Sequence, residues 1–109
     1  MARRRAGGRD AEPPPGPPAP LEVVWSSRFK RDVEKAKRSG RDMAKLTAIM
    51  TAIAERRRLE PAREDHALRG EWKGYRDCHV EGDWVLIYKV EGGKASFART
   101  GTHSEVFGR

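Results

Sequence analysis

The chain has three histidines, His66, His79 and His103, and all of them fall in its C-terminal part, in the company of Asp83, Trp84, Arg99 and Phe107. Imidazole, with an unperturbed pKa near ~6.5, is the side chain best able to both take and give a proton at neutral pH. A basic chain that gathers its histidines this way is a candidate for acid–base chemistry on an anion. Three histidines and an aspartate could instead bind zinc, but their spacing matches no compact ligand motif.

These residues act together only if strands bring them together. Three strand-like runs, residues 74–80, 84–90 and 94–100, are separated by Glu81-Gly82 and Gly92-Gly93, both hairpin signals. With Val80-Glu81-Gly82 as the first turn, His79 and Asp83 face each other within the ~5 Å of directly opposed Cβ atoms. With Gly92-Gly93 centring the second turn, Asp83 lies opposite Thr102, and Arg99 and His103 flank the same end of the sheet. Strand parity places Tyr75, Asp77 and His79 on one face, with Cys78 and Val80 on the other, so Cys78 is expected to be a core thiol rather than a nucleophile. The same parity sets Phe97 beside Arg99, a pairing one regular strand accommodates badly.

The elements that must carry this end of the molecule lie upstream. Leu21-Glu-Val-Val-Trp25 reads as a short strand. Ser26 or Ser27 can cap a helix with Phe29, Val33 and Ala36 at helical spacing, ended by Gly40. A second helix from Asp42 carries Met43, Leu46, Ile49 or Met50, and Ile53, fading through Arg56-Arg57-Arg58 before Pro61. Trp84-Val-Leu-Ile-Tyr88 is apolar on both parities, as a central strand covered on both faces would be. The predicted fold is α+β, β-α-α-β-β-β: an N-terminal strand, then a helical hairpin packed on a small, mostly antiparallel sheet.

Composition bounds the rest. With 109 residues there is room for one small domain, expected over residues 21–109. The formal charge of +7 points to polyanions or an acidic protein as partners. A single cysteine excludes an intramolecular disulfide and fits a reducing cytosol. No apolar run approaches the ~18 residues of a membrane span, and the arginines after Met1 are followed by Gly, Asp and Pro rather than a signal-peptide core. Six of the seven prolines lie between Pro13 and Pro20, so residues 1–20 are expected to form a disordered, basic, proline-rich tail.

The runs Asp65-His-Ala-Leu68, Trp72-Lys-Gly-Tyr-Arg-Asp-Cys-His79, Gly82-Asp-Trp-Val-Leu-Ile-Tyr88 and Arg99-Thr-Gly-Thr-His-Ser-Glu-Val-Phe107 resemble the YafQ branch of the RelE/ParE toxin superfamily from about residue 26 onward. The resemblance implies a RelE-like fold and a toxin of a bacterial toxin–antitoxin pair. It further implies a ribosome-dependent endoribonuclease that cuts messenger RNA in the 30S A site, needs no cofactor or metal, and is silenced by a DinJ-like antitoxin. The family's functional residues correspond to His66, His79, Asp83, Trp84, Arg99, His103 and Phe107. Ala67 departs from the family pattern, which commonly has proline there, and Gly108-Arg109 extends past the last motif.

Metal-independent RNA cleavage needs a base for the 2′-OH, cations to meet the charge on phosphorus, and an acid for the 5′-oxygen leaving group. On this reading His103 is the acid, Asp83 or His79 leads as the base with His66 positioning or sharing the proton, and Arg99 clamps the phosphate. Phe107 and Trp84 would stack on a splayed base. The alternatives are a ParE-type toxin acting on a topoisomerase without cutting RNA, and an inactive relative that only pairs with an antitoxin.

Overall fold

The computed structural model describes residues 19–108, so the expected tail lies, apart from Ala19 and Pro20, outside the described residues. β1 (Glu22–Trp25) leads into α1 (Ser27–Arg38), whose N-cap is Ser26: its hydroxyl accepts from the Phe29 N–H at 3.0 Å. Asp42 caps α2 (Met43–Ala54) in the same way, accepting from the Ala44 N–H at 3.1 Å. Each such cap satisfies an orphan donor worth about 1 kcal/mol. The helices present Phe29, Val33 and Ala36, and Leu46, Ile49 and Ile53, as buried stripes. Met43 and Met50 pack only at the border.

After a 3-10 turn (Pro61–Arg63) come β2 (His66–Ala67), a second 3-10 turn (Gly70–Trp72), β3 (Arg76–Glu81), β4 (Trp84–Glu91), β5 (Lys94–Thr102) and α3 (His103–Phe107). The sheet order is β1-β5-β4-β3-β2; β1 runs parallel to β5 and every other pairing is antiparallel. The α+β architecture is the expected one, with two additions. A two-residue strand is too short to show a period, and a five-residue helix shows only its capping box, in which Thr102 and Glu105 exchange hydrogen bonds.

The central strand is indeed covered on both faces. On one face the helices enclose Cys78, Val80, Trp84, Leu86, Tyr88 and Phe97. On the other, Val85, Ile87 and Val106 form a smaller cluster bordered by Leu68, Trp72, Tyr75 and Phe107. Cys78 is fully buried, and burial pushes its thiol up to about 12, so it is inert at neutral pH.

Two bulges correct the expected register. In the first hairpin Glu81 pairs with Trp84, leaving a two-residue turn of Gly82 and Asp83, and the register shifts between His79 and Glu81 so that His79 faces Val85 rather than Asp83. In the second hairpin the pairing shifts at Ala98, so that Trp84, not Asp83, lies opposite Thr102. The second bulge also resolves the parity of Phe97 and Arg99. Phe97 pairs with Tyr88 in the helix-side core, and Arg99 pairs with Ile87 of the other cluster.

Candidate active site

The face away from the helical hairpin gathers the three histidines. His66 pairs with Asp77, Asp77 with Ile87, and one step along the sheet His79 pairs with Val85. Paired residues share a face, so His66, Asp77 and His79 project together. β5 then delivers His103 as the first residue of α3. The His79 and His103 rings meet edge to face with centroids 5.5 Å apart, and Phe107, one turn along α3, lies 5.9 Å from His103.

Two of the three histidines are held from behind. The His103 Nδ1–H donates to Asp83 Oδ1, and the His103 backbone N–H reaches the same oxygen at 3.4 Å. That hydrogen bond holds the Asp83 carboxyl below its ordinary range and leaves His103 Nε2 free. The first hairpin's turn thus couples Asp83 to His103, whereas the sequence pattern coupled it to His79. At His66, Nδ1–H donates to the Glu64 carbonyl at 2.8 Å, a tautomer that leaves Nε2 as an acceptor. Asp65, the residue before it, accepts from Tyr88 Oη at 2.7 Å and Arg76 Nε at 3.1 Å. This anchor fixes the strand at Ala67.

Asp77 was not singled out from the sequence, and it sits at the centre. It is 2 % exposed, and its Oδ1 finds no hydrogen-bond partner. Burial raises its pKa, while His66, His103 and His79 pull it back. The available signal was its shared parity with His79. The three imidazoles therefore stand over one buried acidic group.

Two expected site residues are otherwise engaged. Trp84 is 0 % exposed in the helix-side core, its Nε1–H donating to Thr100 Oγ1 at 2.8 Å, with no face open to a base. It therefore packs. Arg99 is buried beside α1, where Asp32 accepts from its Nε at 2.7 Å and from its NH2 at 3.2 Å. Asp32 also accepts from the Thr100 N–H at 3.1 Å, closing the edge of β5 beyond the end of β1. The guanidinium fork is thus occupied by a carboxylate rather than open to a phosphate.

In front of the histidines lies a cavity of about 870 Å³, lined by His66, Asp77, His103, Phe107 and the 68–72 loop. Among the described residues, no three metal-ligating side chains converge closely enough to hold an ion, and no helix is long and apolar enough to cross a membrane. What converges is a pair of imidazoles, each held through Nδ1 and each presenting Nε2, His66 by a backbone carbonyl and His103 by the Asp83 carboxylate.

The model of a family described as the bacterial toxin of the type II toxin–antitoxin system, YafQ, matches residues 21–108. The mRNA interferase toxin YafQ of Escherichia coli K12 is 44% identical over 88 residues, covering 80% of this chain and 96% of that protein. The crystal structure of YafQ from E. coli BL21(DE3) superposes with a TM-score of 0.77 at 41% identity, over 80% of this chain and 98% of that one. The toxin in the E. coli DinJ-YafQ toxin–antitoxin complex gives 0.75 at 42% identity, over 80% and 97%. With its fold, its sequence identity and its matched length all in agreement, the chain belongs to the YafQ family of type II toxin–antitoxin toxins.

Proposed function

We propose that this protein is an mRNA interferase: a ribosome-dependent endoribonuclease that cuts messenger RNA in the 30S A site and so halts translation in the cytoplasm. The observation that carries the reading is the facing of His66 and His103 on one cavity over Asp77, with Asp83 orienting His103. His66 Nε2 takes the proton from the 2′-OH, whose oxygen attacks phosphorus. His103, oriented by Asp83, gives a proton to the departing 5′-oxygen. His79, edge-on to His103, offers a ring N–H to the phosphorane oxygens as they gain negative charge. Sequence reasoning favoured Asp83 or His79 as the base; engagement of Asp83 by His103 and the free acceptor of His66 favour His66 instead.

The partners follow from the same surface and from the relatives. E. coli YafQ is seen in complex with DinJ, and a cognate DinJ-like antitoxin is the partner proposed here. A +7 chain suits an acidic antitoxin segment and ribosomal RNA alike.

The test is induction of wild type and His103→Ala in a bacterium lacking the antitoxin, with growth followed and mRNA 5′ ends mapped at codon resolution. Loss of a general acid lowers cleavage about 10²–10⁴-fold. New A-site cuts with wild type, absent with His103→Ala, support the reading; growth arrest by both without cuts overturns it in favour of a ParE-like mode.

A further inference from the structure

The cavity extends past the histidines to a wall that the cleavage chemistry does not use. Leu68, Arg69, Gly70, Glu71 and Trp72 line it, together with Phe107. This wall is rigid. Gly70, at φ +67°, allows the reversal that starts the 3-10 turn. The Leu68 N–H donates to the Tyr75 carbonyl at 2.9 Å, and the Tyr75 N–H returns to the Trp72 carbonyl at 2.9 Å. Trp72 packs edge to face on Tyr75 at 5.2 Å, and the Lys89 ammonium lies 5.2 Å above the Tyr75 ring. Trp72 and Leu68 also join the small apolar cluster under the site. Arg69 and Glu71 stand exposed at the rim and make no side-chain hydrogen bond or ion pair among the described residues.

A fixed aromatic and aliphatic wall with a free acceptor and a free cation at its mouth is how proteins hold a splayed RNA base. We infer that the 68–72 loop and Phe107 form a nucleobase subsite, in which Trp72 and Phe107 contact the base, Glu71 accepts a hydrogen bond from its exocyclic amine, and Arg69 holds the adjoining phosphate. Trp72 thereby takes the aromatic role that the family resemblance implied for Trp84. The chemistry selects adenine, cytosine or guanine over uracil, because uracil's carbonyls would face the Glu71 carboxylate with no donor between them except its single ring N–H. A hydrogen bond to a charged group discriminates by about 10–100-fold when one side of it is missing.

The inference rests on the ribonuclease reading, and two measurements separate their failures. The first is cleavage on ribosomes programmed with messages carrying each of the four bases at each position of the A-site codon, for wild type, Glu71→Ala and Arg69→Ala. Wild type is expected to disfavour uracil at one codon position, with Glu71→Ala bringing the ratio there towards one. A wild-type base profile left unaltered by Glu71→Ala overturns the subsite while leaving the nuclease reading intact. The second is NMR titration of the full-length His103→Ala protein with cytidine and uridine monophosphates. A shift of the Trp72 indole N–H, assigned by Trp72→Phe, by cytidine monophosphate and much less by uridine monophosphate supports the subsite even if no cleavage is found. Equal shifts, or none, overturn it.

Discussion

The two faces of the sheet are built on opposite principles. The helix-covered face buries one continuous apolar core, and its polar intruders are satisfied: Trp84 by Thr100, and Thr100 in turn by the Val85 carbonyl at 2.8 Å. The other face has three fully packed apolar residues, three partly open histidines and a buried carboxylate with an unpaired oxygen. Stability and function are thus separated across a single layer of backbone. The face that holds the molecule together has no room for chemistry, and the face with the chemistry keeps a polar group that a stability-driven core would exclude.

That separation is sharpest under paired substitutions. Phe29→Ala, on the covered face, is expected to lower unfolding free energy by about 3–5 kcal/mol in urea denaturation. His103→Ala, at a surface site, should change it by no more than about 0.5 kcal/mol while removing cleavage. A stability loss from His103→Ala comparable to that from Phe29→Ala would erase the distinction. Next in size is Asp32→Ala, which strands the Arg99 guanidinium in a largely buried place and leaves the Thr100 N–H without its acceptor; about 3 kcal/mol of stability should go. If Asp32→Ala instead leaves stability intact and raises cleavage, the Arg99 guanidinium serves the chemistry and Asp32 restrains it.

Asp77→Asn tests the unpaired carboxylate directly. Because its pKa in the folded state is raised by burial, the carboxyl favours folding while protonated and disfavours it as pH rises through the folded pKa. The amide should therefore leave the protein at least as stable at pH 7, while cleavage falls more than about tenfold, with the pH–rate profile altered at the acid limb. A clear loss of stability would mean that Asp77 is a structural counter-ion. The smallest effect belongs to Glu105, whose carboxyl is lowered to about 2, first by the Lys35 ammonium and then by the Thr102 N–H. Its contribution is present above the ordinary carboxyl range and is lost as pH falls from about 4.5 to about 2. Glu105→Gln should flatten that part of the thermal stability curve by no more than about 1 kcal/mol, since the pair is solvent-screened.

Periodicity and caps were enough to place the main elements. Ser26 and Asp42 start the helices where their side chains predict, and Cys78 and Val80 fall on the core side where parity puts them. Glu81-Gly82 and Gly92-Gly93 marked both hairpins, because turn chemistry is local. Bulges are not local: an extra residue is tolerated only when packing on both faces favours it, so the pairing of His79 with Val85 had no signal in the runs themselves, and the shift at Ala98 showed only as the awkward shared parity of Phe97 and Arg99. The same holds for partners. Residue types nominated the histidines, Asp83 and Phe107, yet whether Trp84 was buried, whether Arg99 was held by Asp32, and whether Asp77 lay beneath the imidazoles depended on contacts 67 or fewer positions apart in sequence but adjacent in space. The sequence by itself determined the α+β plan and the chemical inventory, since patterning and propensity act over a few residues. Only the tertiary structure decided which side chains face the cavity and which proton each can move, because register and burial are properties of the packed sheet.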